Sequence, residues 1–188
     1  MTPAPPNEAV RLGILSDTHG RADACRLAVQ TLLDMGAQAL AHCGDVGEDA
    51  VLDVLAGHPV WFVWGNTDLD RPRLTRYAKD LGLACLGNLG RFTFGGKQFV
   101  LTHGDNAAAL AQVRSAAEAG QAVAGVERAD DYLLTGHTHL QHDRRVGGVG
   151  GVGGLRWINP GALYRARPRT VALLDVAEDE LTLLEIPG

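Results

Sequence analysis

Five apolar runs in this chain each end in a short polar tip that carries aspartate, asparagine or histidine beside glycine. Residues 11–15 stop at Ser16-Asp-Thr-His-Gly20, residues 37–41 at His42-Cys-Gly-Asp45, and residues 60–64 at Gly65-Asn66-Thr67-Asp68. Residues 98–101 lead into Thr102-His103-Gly104-Asp105, and residues 132–134 into Gly136-His-Thr-His139. After the first tip, Ala24, Leu27, Ala28, Leu32 and Met35 fall at helical spacing, with Gly36 just past the end as a stop. Residues 48–55 read as a second, short helix, and a third carrying Arg71, Arg73, Arg76 and Lys79 follows the third tip. Strand, polar tip and helix, three times over, is the rhythm of an α/β fold with parallel strands. In open α/β sheets ligands bind beyond the carboxyl ends of the strands, where these tips fall.

The second half changes character. Residues 91–94 and 98–101 flank Gly95-Gly96, a hairpin signal, and residues 107–119 are a strong helix. Further strands are expected at residues 143–146, 155–158 and 170–176, the last with 181–186 as its partner. Local hairpins of this kind predict mixed or antiparallel pairing. No linker, low-complexity tract or fixed-period repeat divides the chain, so its 188 residues read as one domain. A 46% hydrophobic composition is enough for a sizeable core. Residues 1–10, with three prolines, read as a loose leader.

A net charge of −5 argues against a surface that holds nucleic acid in bulk by counterion release. It says nothing against a small phosphorylated ligand. Cys25, Cys43 and Cys85 are odd in number and widely spaced, with no CxxC, which speaks against a disulfide framework or a structural zinc site. No basic-then-apolar signal pattern opens the chain, and no apolar run is long enough to span a bilayer. The expectation is a cytoplasmic protein with no membrane partner; a homo-oligomer is compatible with the sequence.

The tips assemble a donor set of Asp17, His19, Asp45, Asn66, His103, His137 and His139. In extended chain, residues i and i+2 face the same way, so Asp17 with His19, and His137 with His139, can each reach one pocket together. Seven imidazole, carboxylate and amide groups exceed what one metal needs, whereas two neighbouring ions sharing a bridging carboxylate can use them. Mixed N/O ligation without thiolate suits manganese, iron or zinc better than calcium or magnesium. Any one DxH, HxH, GD or GN is a weak signal, more often a turn; the strength lies in their order and placement. His42, His58 and His142 fit no ligand pattern and read as surface or packing residues.

This ordered set, DxH, GD, GN, H and GHxH, resembles the calcineurin-like metallophosphoesterase superfamily. Gly136-His-Thr-His139, Asn159-Pro-Gly161 and the short length are most similar to its small bacterial and archaeal branch of manganese-type phosphodiesterases. The resemblance implies a four-layer α/β/β/α sandwich of two mixed sheets and two divalent metal ions, manganese first, with iron or zinc as alternatives. It places Asp17, His19 and His139 on one metal and Asn66, His103 and His137 on the other, with Asp45 bridging. Asn66 would also touch the substrate phosphate. The activity implied is hydrolysis of a small phosphoester, a diester above all, by a metal-bridging hydroxide. A non-catalytic scaffold is the alternative, because a subunit of the retromer coat shares this resemblance and is regarded mainly as an interaction module.

The chain departs from that pattern at two places. Thr67 follows the GN asparagine where many members have a histidine that protonates the leaving oxygen, and a threonine hydroxyl is no acid near neutral pH. His103-Gly-Asp105 stands where HGH is frequent. Asp105 would replace the missing acid only if burial raises its pKa against the pull of nearby cations. The favoured reading is an enzyme without a strong acid, limited to good leaving groups or to a proton from metal-bound water. Asp68 is expected to orient a ligand rather than to catalyse. Ala162, after Asn159-Pro-Gly161, lacks the hydroxyl of the serine frequent there.

Other signals are weaker. Gly148-Val-Gly-Gly-Val-Gly153 matches GxGxxG, but the strand-like residues 155–158 follow it instead of a helix, so a hairpin tip is expected. Arg165, Arg167 and Arg169 follow the Asn159-Pro-Gly161 turn; a solvated loop is the first reading, and Arg165 as a phosphate clamp the second. The Arg71 to Lys79 cations read as an exposed helix face, and Trp61 and Trp64 as core.

Overall fold

A computed structural model describes residues 9–124, 126–127, 129–148 and 154–188. In chain order the elements are β1 (Arg11–Leu15), α1 (Ala22–Asp34), β2 (Ala39–His42), α2 (Asp49–Leu55), β3 (Val60–Phe62), α3 (Arg71–Asp80), β4 (Ala84–Cys85) and β5 (Leu89–Phe94). They continue with β6 (Lys97–Thr102), α4 (Ala107–Glu118), β7 (Tyr132–Leu134), β8 (His142–Val146), β9 (Leu155–Asn159), β10 (Arg169–Asp175) and β11 (Glu180–Ile186). The first sheet has the order β11-β10-β1-β2-β3-β4, the second β5-β6-β7-β9-β8. Strands β1 to β4 are parallel, and β10 and β11 join them antiparallel. In the second sheet β6, β7 and β9 are parallel, with β5 and β8 antiparallel at the edges.

The central strands of both sheets are buried on two faces, which explains why they read as continuous apolar runs, while the edge strands β8 and β11 are largely exposed. Successive residues still alternate in what they meet. Leu12, Ile14, Ala39, Ala41, Ala172 and Leu174 point into the layer between the sheets, against Phe99, Leu101, Tyr132, Leu134 and Ile158. Leu15, Leu40, Phe62 and Leu173 instead join a second cluster with Ala28 and Leu32 of α1, Leu52 of α2 and Leu74 of α3. Beyond the second sheet, Val100, Leu133, Leu155 and Trp157 pack with Leu110 and Val113 of α4. The result is the α/β/β/α sandwich of two mixed sheets. Trp61, Phe92, Phe99 and Tyr132 stack in series across the inner layer at centroid spacings of 4.3, 4.9 and 4.6 Å.

The expected strands and helices form within a residue or two of their predicted bounds. The two-residue edge strand β4 was not anticipated, because Ala84-Cys85 has no period of its own. Trp64, read as core, is buried, and Trp61 is half-buried in the aromatic stack. Of the leader, residues 1–8 lie outside the described residues. Val10 does not belong to it: its carbonyl accepts from Val176 N at 2.8 Å, and it packs on the inner layer. The glycine run at 148–153 lies outside the described residues from 149 onward; β8 and β9, which flank it, pair antiparallel as a hairpin would.

Candidate metal centre

The sequence tips follow the carboxyl ends of β1, β2, β3, β6 and β7, and the parallel pairing of these strands brings the tips together. The loops after β1 and β2 are zipped by Asp17 N to Gly44 O at 3.0 Å, His19 N to Asp45 O at 2.9 Å and Gly20 N to Val46 O at 2.9 Å. Glycine is required where these loops touch. A Cβ on Gly65 would lie 2.1 Å from Asp45 Oδ1, one on Gly44 2.8 Å from the His103 ring, and one on Gly136 1.9 Å from Ser16 Oγ.

The extended-chain argument for Asp17 with His19 and for His137 with His139 is corrected by the backbone. These four residues and Asp45 all have φ between 45° and 66°, in the left-handed region that L side chains rarely adopt. The side chains of Asp17, His19, Asp45 and His139 converge with the chain turning sharply at each one, while His137 turns in the same way without joining them. Strain of this kind clusters at functional sites.

Oxygen and nitrogen acceptors face one another across the site. Asp45 Oδ2 lies 3.4 Å from His19 Nε2 and 3.3 Å from His103 Nε2, and Asp17 Oδ1 lies 3.1 Å from His139 Nε2. His103 Nε2 also faces Asn66 Oδ1 at 3.2 Å. The other atom of each group is engaged. His103 Nδ1 donates to Cys43 O at 2.9 Å, which leaves a lone pair on Nε2 of the neutral ring. Ser16 Oγ donates to Asp17 Oδ2 at 2.5 Å, as does His137 N at 3.1 Å, while Asp17 Oδ1 receives no hydrogen bond. His19 Nε2 is likewise buried without a partner.

Two ligand atoms about 2.1 Å from one cation and 90–110° apart are about 3.0–3.4 Å from each other, which is the spacing these acceptor pairs keep. Two groups can hold a cation: Asp17, His19 and His139, and Asp17, Asp45 and His103. Asp45 Oδ2 reaches histidines of both. Asn66 stands beside the second group. His137 is exposed and belongs to neither; its ring meets that of His103 edge to face at 5.1 Å.

Burial alone would raise the Asp45 pKa, but hydrogen bonds to His103 and Thr67 and the His103 charge outweigh it, and the carboxyl is held below the usual range. Burial pulls His103 the other way, yet the bond to Asp45 and the charges of Asp45 and Asp17 raise its pKa. Without a cation, then, the site draws in a proton.

Several residues read as bystanders hold this geometry. Thr67 N donates to Asp45 Oδ1 at 2.9 Å, and Thr67 Oγ1 lies 3.3 Å from His19 Nδ1, so the residue that replaces the missing acid orients two ligands. Asp68 is buried and accepts from Gly47 N at 2.7 Å and Gly65 N at 2.8 Å, which ties the β2 and β3 loops together through their backbone. His42 is fully buried and accepts from Gly44 N at 3.2 Å, while its Nε2 lies 3.0 Å from Thr18 Oγ1. Burial first, then the His103 charge, lower its pKa to about 3. Asn159 Nδ2 donates to Gly136 O at 2.7 Å and its Oδ1 accepts from Gly161 N at 2.9 Å, so the turn supports the last histidine loop. The signal for Thr67 and Asp68 is a polar residue one or two positions from Asn66; His42 and Asn159 carry no such local signal.

Two expectations change here. Asp105 is exposed and lines a small pocket with Trp64, Arg71 and Asn88, so the burial that would make it an acid is absent. Arg71 does not belong to the exposed cationic face: it donates to Gly65 O at 2.5 Å, Asp68 O at 3.0 Å and Asn88 Oδ1 at 2.7 Å. Arg165 is exposed, with its guanidinium 5.1 Å from the Tyr164 ring, whose own centroid is 4.8 Å from that of His19.

No helix among the described residues is long and apolar enough to cross a membrane. Residues 10–179 match the calcineurin-like phosphoesterase superfamily domain. The protein named phosphodiesterase MJ0936 of Methanocaldococcus jannaschii is 25% identical over 176 residues, covering 91% of this chain and 96% of its own. A solved structure described as a novel archaeal phosphodiesterase superposes with a TM-score of 0.76 at 23% identity, over 94% of this chain and 99% of that one. The same fold recurs in Vps29 of Chaetomium thermophilum, with a TM-score of 0.59 at 13% identity over 95% of this chain and 100% of that one. The chain belongs to the calcineurin-like phosphoesterase superfamily, a family of hydrolases, and carries candidate divalent-metal ligands at the carboxyl ends of its parallel strands.

Proposed function

We propose that the chain is a binuclear-metal phosphodiesterase that hydrolyses small phosphoesters, with manganese as the first choice of metal and iron or zinc as alternatives. The observation that carries the reading is the cluster of facing ligand atoms, Asp17 Oδ1, Asp45 Oδ2 and the Nε2 atoms of His19, His103 and His139, of which Asp17 Oδ1 and His19 Nε2 are buried with no hydrogen-bond partner. Such a cluster of lone pairs suits a cation and little else.

Asp17, His19 and His139 hold one metal in this reading, and Asn66, His103 and His137 the other, with Asp45 shared. The position of Asp45 Oδ2 between His19 and His103 supports the sharing. His137 would have to swing from its edge-on contact with His103 to take part. Divalent cations supply, when bound, the charge that polarises phosphoryl oxygens and makes hydroxide available as nucleophile near neutral pH. In this reading Asn66, whose side chain is exposed, also donates its amide to a phosphate oxygen.

Neither Thr67 nor Asp105 offers a strong acid to the leaving oxygen. Thr67 is bonded to its neighbours, and Asp105 lacks burial. The reading is therefore an enzyme of good leaving groups, cytoplasmic, acting on a small ligand rather than on bulk nucleic acid. A scaffold without catalysis would not need acceptors kept facing one another at a cost in repulsion.

The test is metal analysis of the purified protein, followed by assays of an aryl phosphodiester and an aryl phosphomonoester with added manganese. The expected result is bound metal and faster diester hydrolysis, both lost in Asp45→Ala. Full activity in that variant refutes the reading.

A further inference from the structure

Beside the metal centre lies a cleft of about 1070 Å³ lined by Arg21, Tyr164, Arg165, Arg167, Arg169 and Glu185, among others. We propose that this cleft is a second anion subsite, so that the substrate is a phosphodiester bearing a further phosphate group of its own. The proposal rests on the phosphodiesterase reading above and adds the substrate class to it.

Four guanidinium groups meet one carboxylate side chain in this cleft, in a chain whose net charge is −5. Most described arginines elsewhere are matched with acids, as Arg73 is with Asp49 and Asp70, Arg91 with Asp130, and Arg156 with Asp143 and Asp179, whereas Arg71, Arg76 and Arg144 are not. Among the described residues none of the four cleft arginines has a carboxylate within ion-pair distance. Gathering like charges without partners is unfavourable until an anion joins them. Arginine forks match phosphate oxygens two at a time, and the cleft is of the size that takes a small-molecule group rather than one isolated ion.

Tyr164 joins the cleft to the metal centre. One side of its surroundings is the His19 ring at 4.8 Å; Arg21 and Arg165 stand 5.2 and 5.1 Å from its centroid. Arg165 is held in the left-handed backbone region at φ 49°, a strained conformation for arginine that turns the loop at this wall. A phosphorus at the metal ligands and an anion among the arginines are then separated by a single ring, within the span of one nucleotide-sized molecule. The same chemistry would also take free phosphate, and the experiment distinguishes the two sources.

The substrates are three dithymidine phosphodiesters: one without a terminal phosphate, one with a 5′ phosphate and one with a 3′ phosphate. The full chain with manganese is expected to favour one phosphorylated diester at least tenfold in kcat/KM, carried by KM. The Arg21→Gln/Arg167→Gln variant is expected to reduce that preference below threefold. A readout free of catalysis is calorimetric titration of inorganic pyrophosphate into the full chain in chelator. Binding is expected for the parent and at least tenfold weaker binding for the variant. Equal rates on all three diesters overturn the proposal. So does pyrophosphate binding without substrate preference, because a free anion then occupies the cleft. If no diester and no aryl phosphodiester is hydrolysed, the phosphodiesterase reading fails and this substrate class with it, while the pyrophosphate titration alone decides whether the cleft holds phosphate.

Discussion

Gly65→Ala isolates the packing between the two loops that carry Asp45 and Asn66. Gly65 has no left-handed backbone requirement, so the substitution acts through space alone. The added Cβ would lie 2.1 Å from Asp45 Oδ1, 2.4 Å from Asp45 N and 2.7 Å from Asp45 Cγ. Ordinary contact needs well over 3 Å, so about 1 Å of movement is forced. Asp45 cannot retreat cheaply, because its carbonyl accepts from His19 N at 2.9 Å and its Oδ1 from Thr67 N at 2.9 Å. Overpacking of this kind costs about 1–3 kcal/mol. For a chain of this size each kcal/mol is worth about 2–4 °C, so the metal-free protein should melt about 2–12 °C lower. Displacing the Asp45 carboxylate, a ligand in the proposed site, should also weaken metal binding by about tenfold to a hundredfold, as loss of ligand orientation does elsewhere. Thermal unfolding in chelator gives the first number, and calorimetric titration of manganese gives the second. A variant that matches the parent in melting temperature and in manganese affinity would refute both the contact and the role of Asp45.

Three further outcomes follow from the same geometry. His42 has a folded pKa of about 3 against an ordinary 6.5, so between those values the unfolded chain binds a proton that the folded chain refuses. Its contribution is complete well above pH 6.5 and is lost as pH falls towards 3; urea unfolding in chelator at pH 7 and 4.5 should cost the parent about 2–3 kcal/mol more than His42→Gln. Asp68→Ala leaves two backbone N–H groups, those of Gly47 and Gly65, without their acceptor, and should lower stability by about 1–3 kcal/mol per group that stays buried and unpaired, measured by urea unfolding. Asp105→Asn should leave the rates on poor leaving groups within twofold of the parent across a phenol series; a selective fall there would make Asp105 the acid after all.

The sequence and the structure agree most closely where the periodic signal was strong. Helix α1 was legible from Ala24, Ala28 and Leu32, which it buries together with Cys25 and Val29, whereas Leu27 and Met35 of the same spacing are exposed. The strand tips were legible because glycine and a ligand-type side chain recur together, and Asp17, His19 and His139 do form a cluster. What was illegible depends on pairings between distant segments. Nothing local in Arg71 says that it clamps the Gly65 carbonyl, and nothing in His42 separates a buried, neutral ring from a surface one. Thr67 was judged by what it cannot do, protonate a leaving group. Its contacts with Asp45 and His19 exist only because β1, β2 and β3 lie side by side. The left-handed backbone at Asp17, His19, Asp45, His137 and His139 was equally hidden, since no residue type there demands it.

That backbone and the facing acceptors describe one physical situation. Five non-glycine residues in the left-handed region each cost about 1–2 kcal/mol, and lone pairs about 3.1–3.4 Å apart repel with little solvent to screen them. The surrounding hydrogen bonds, given by Ser16, Thr67 and Asn159 and accepted by Asp68 and the Cys43 carbonyl, keep the ligand groups in place against that cost. A site rigidly held in an unfavourable arrangement is relieved by whatever bears positive charge. Without metal this is a proton, which is why Asp45 and Asp17 raise the His103 pKa despite burial. Cation binding must displace that proton, so the electrostatic design that favours a divalent ion also makes its affinity fall as pH drops through the range where His103 titrates.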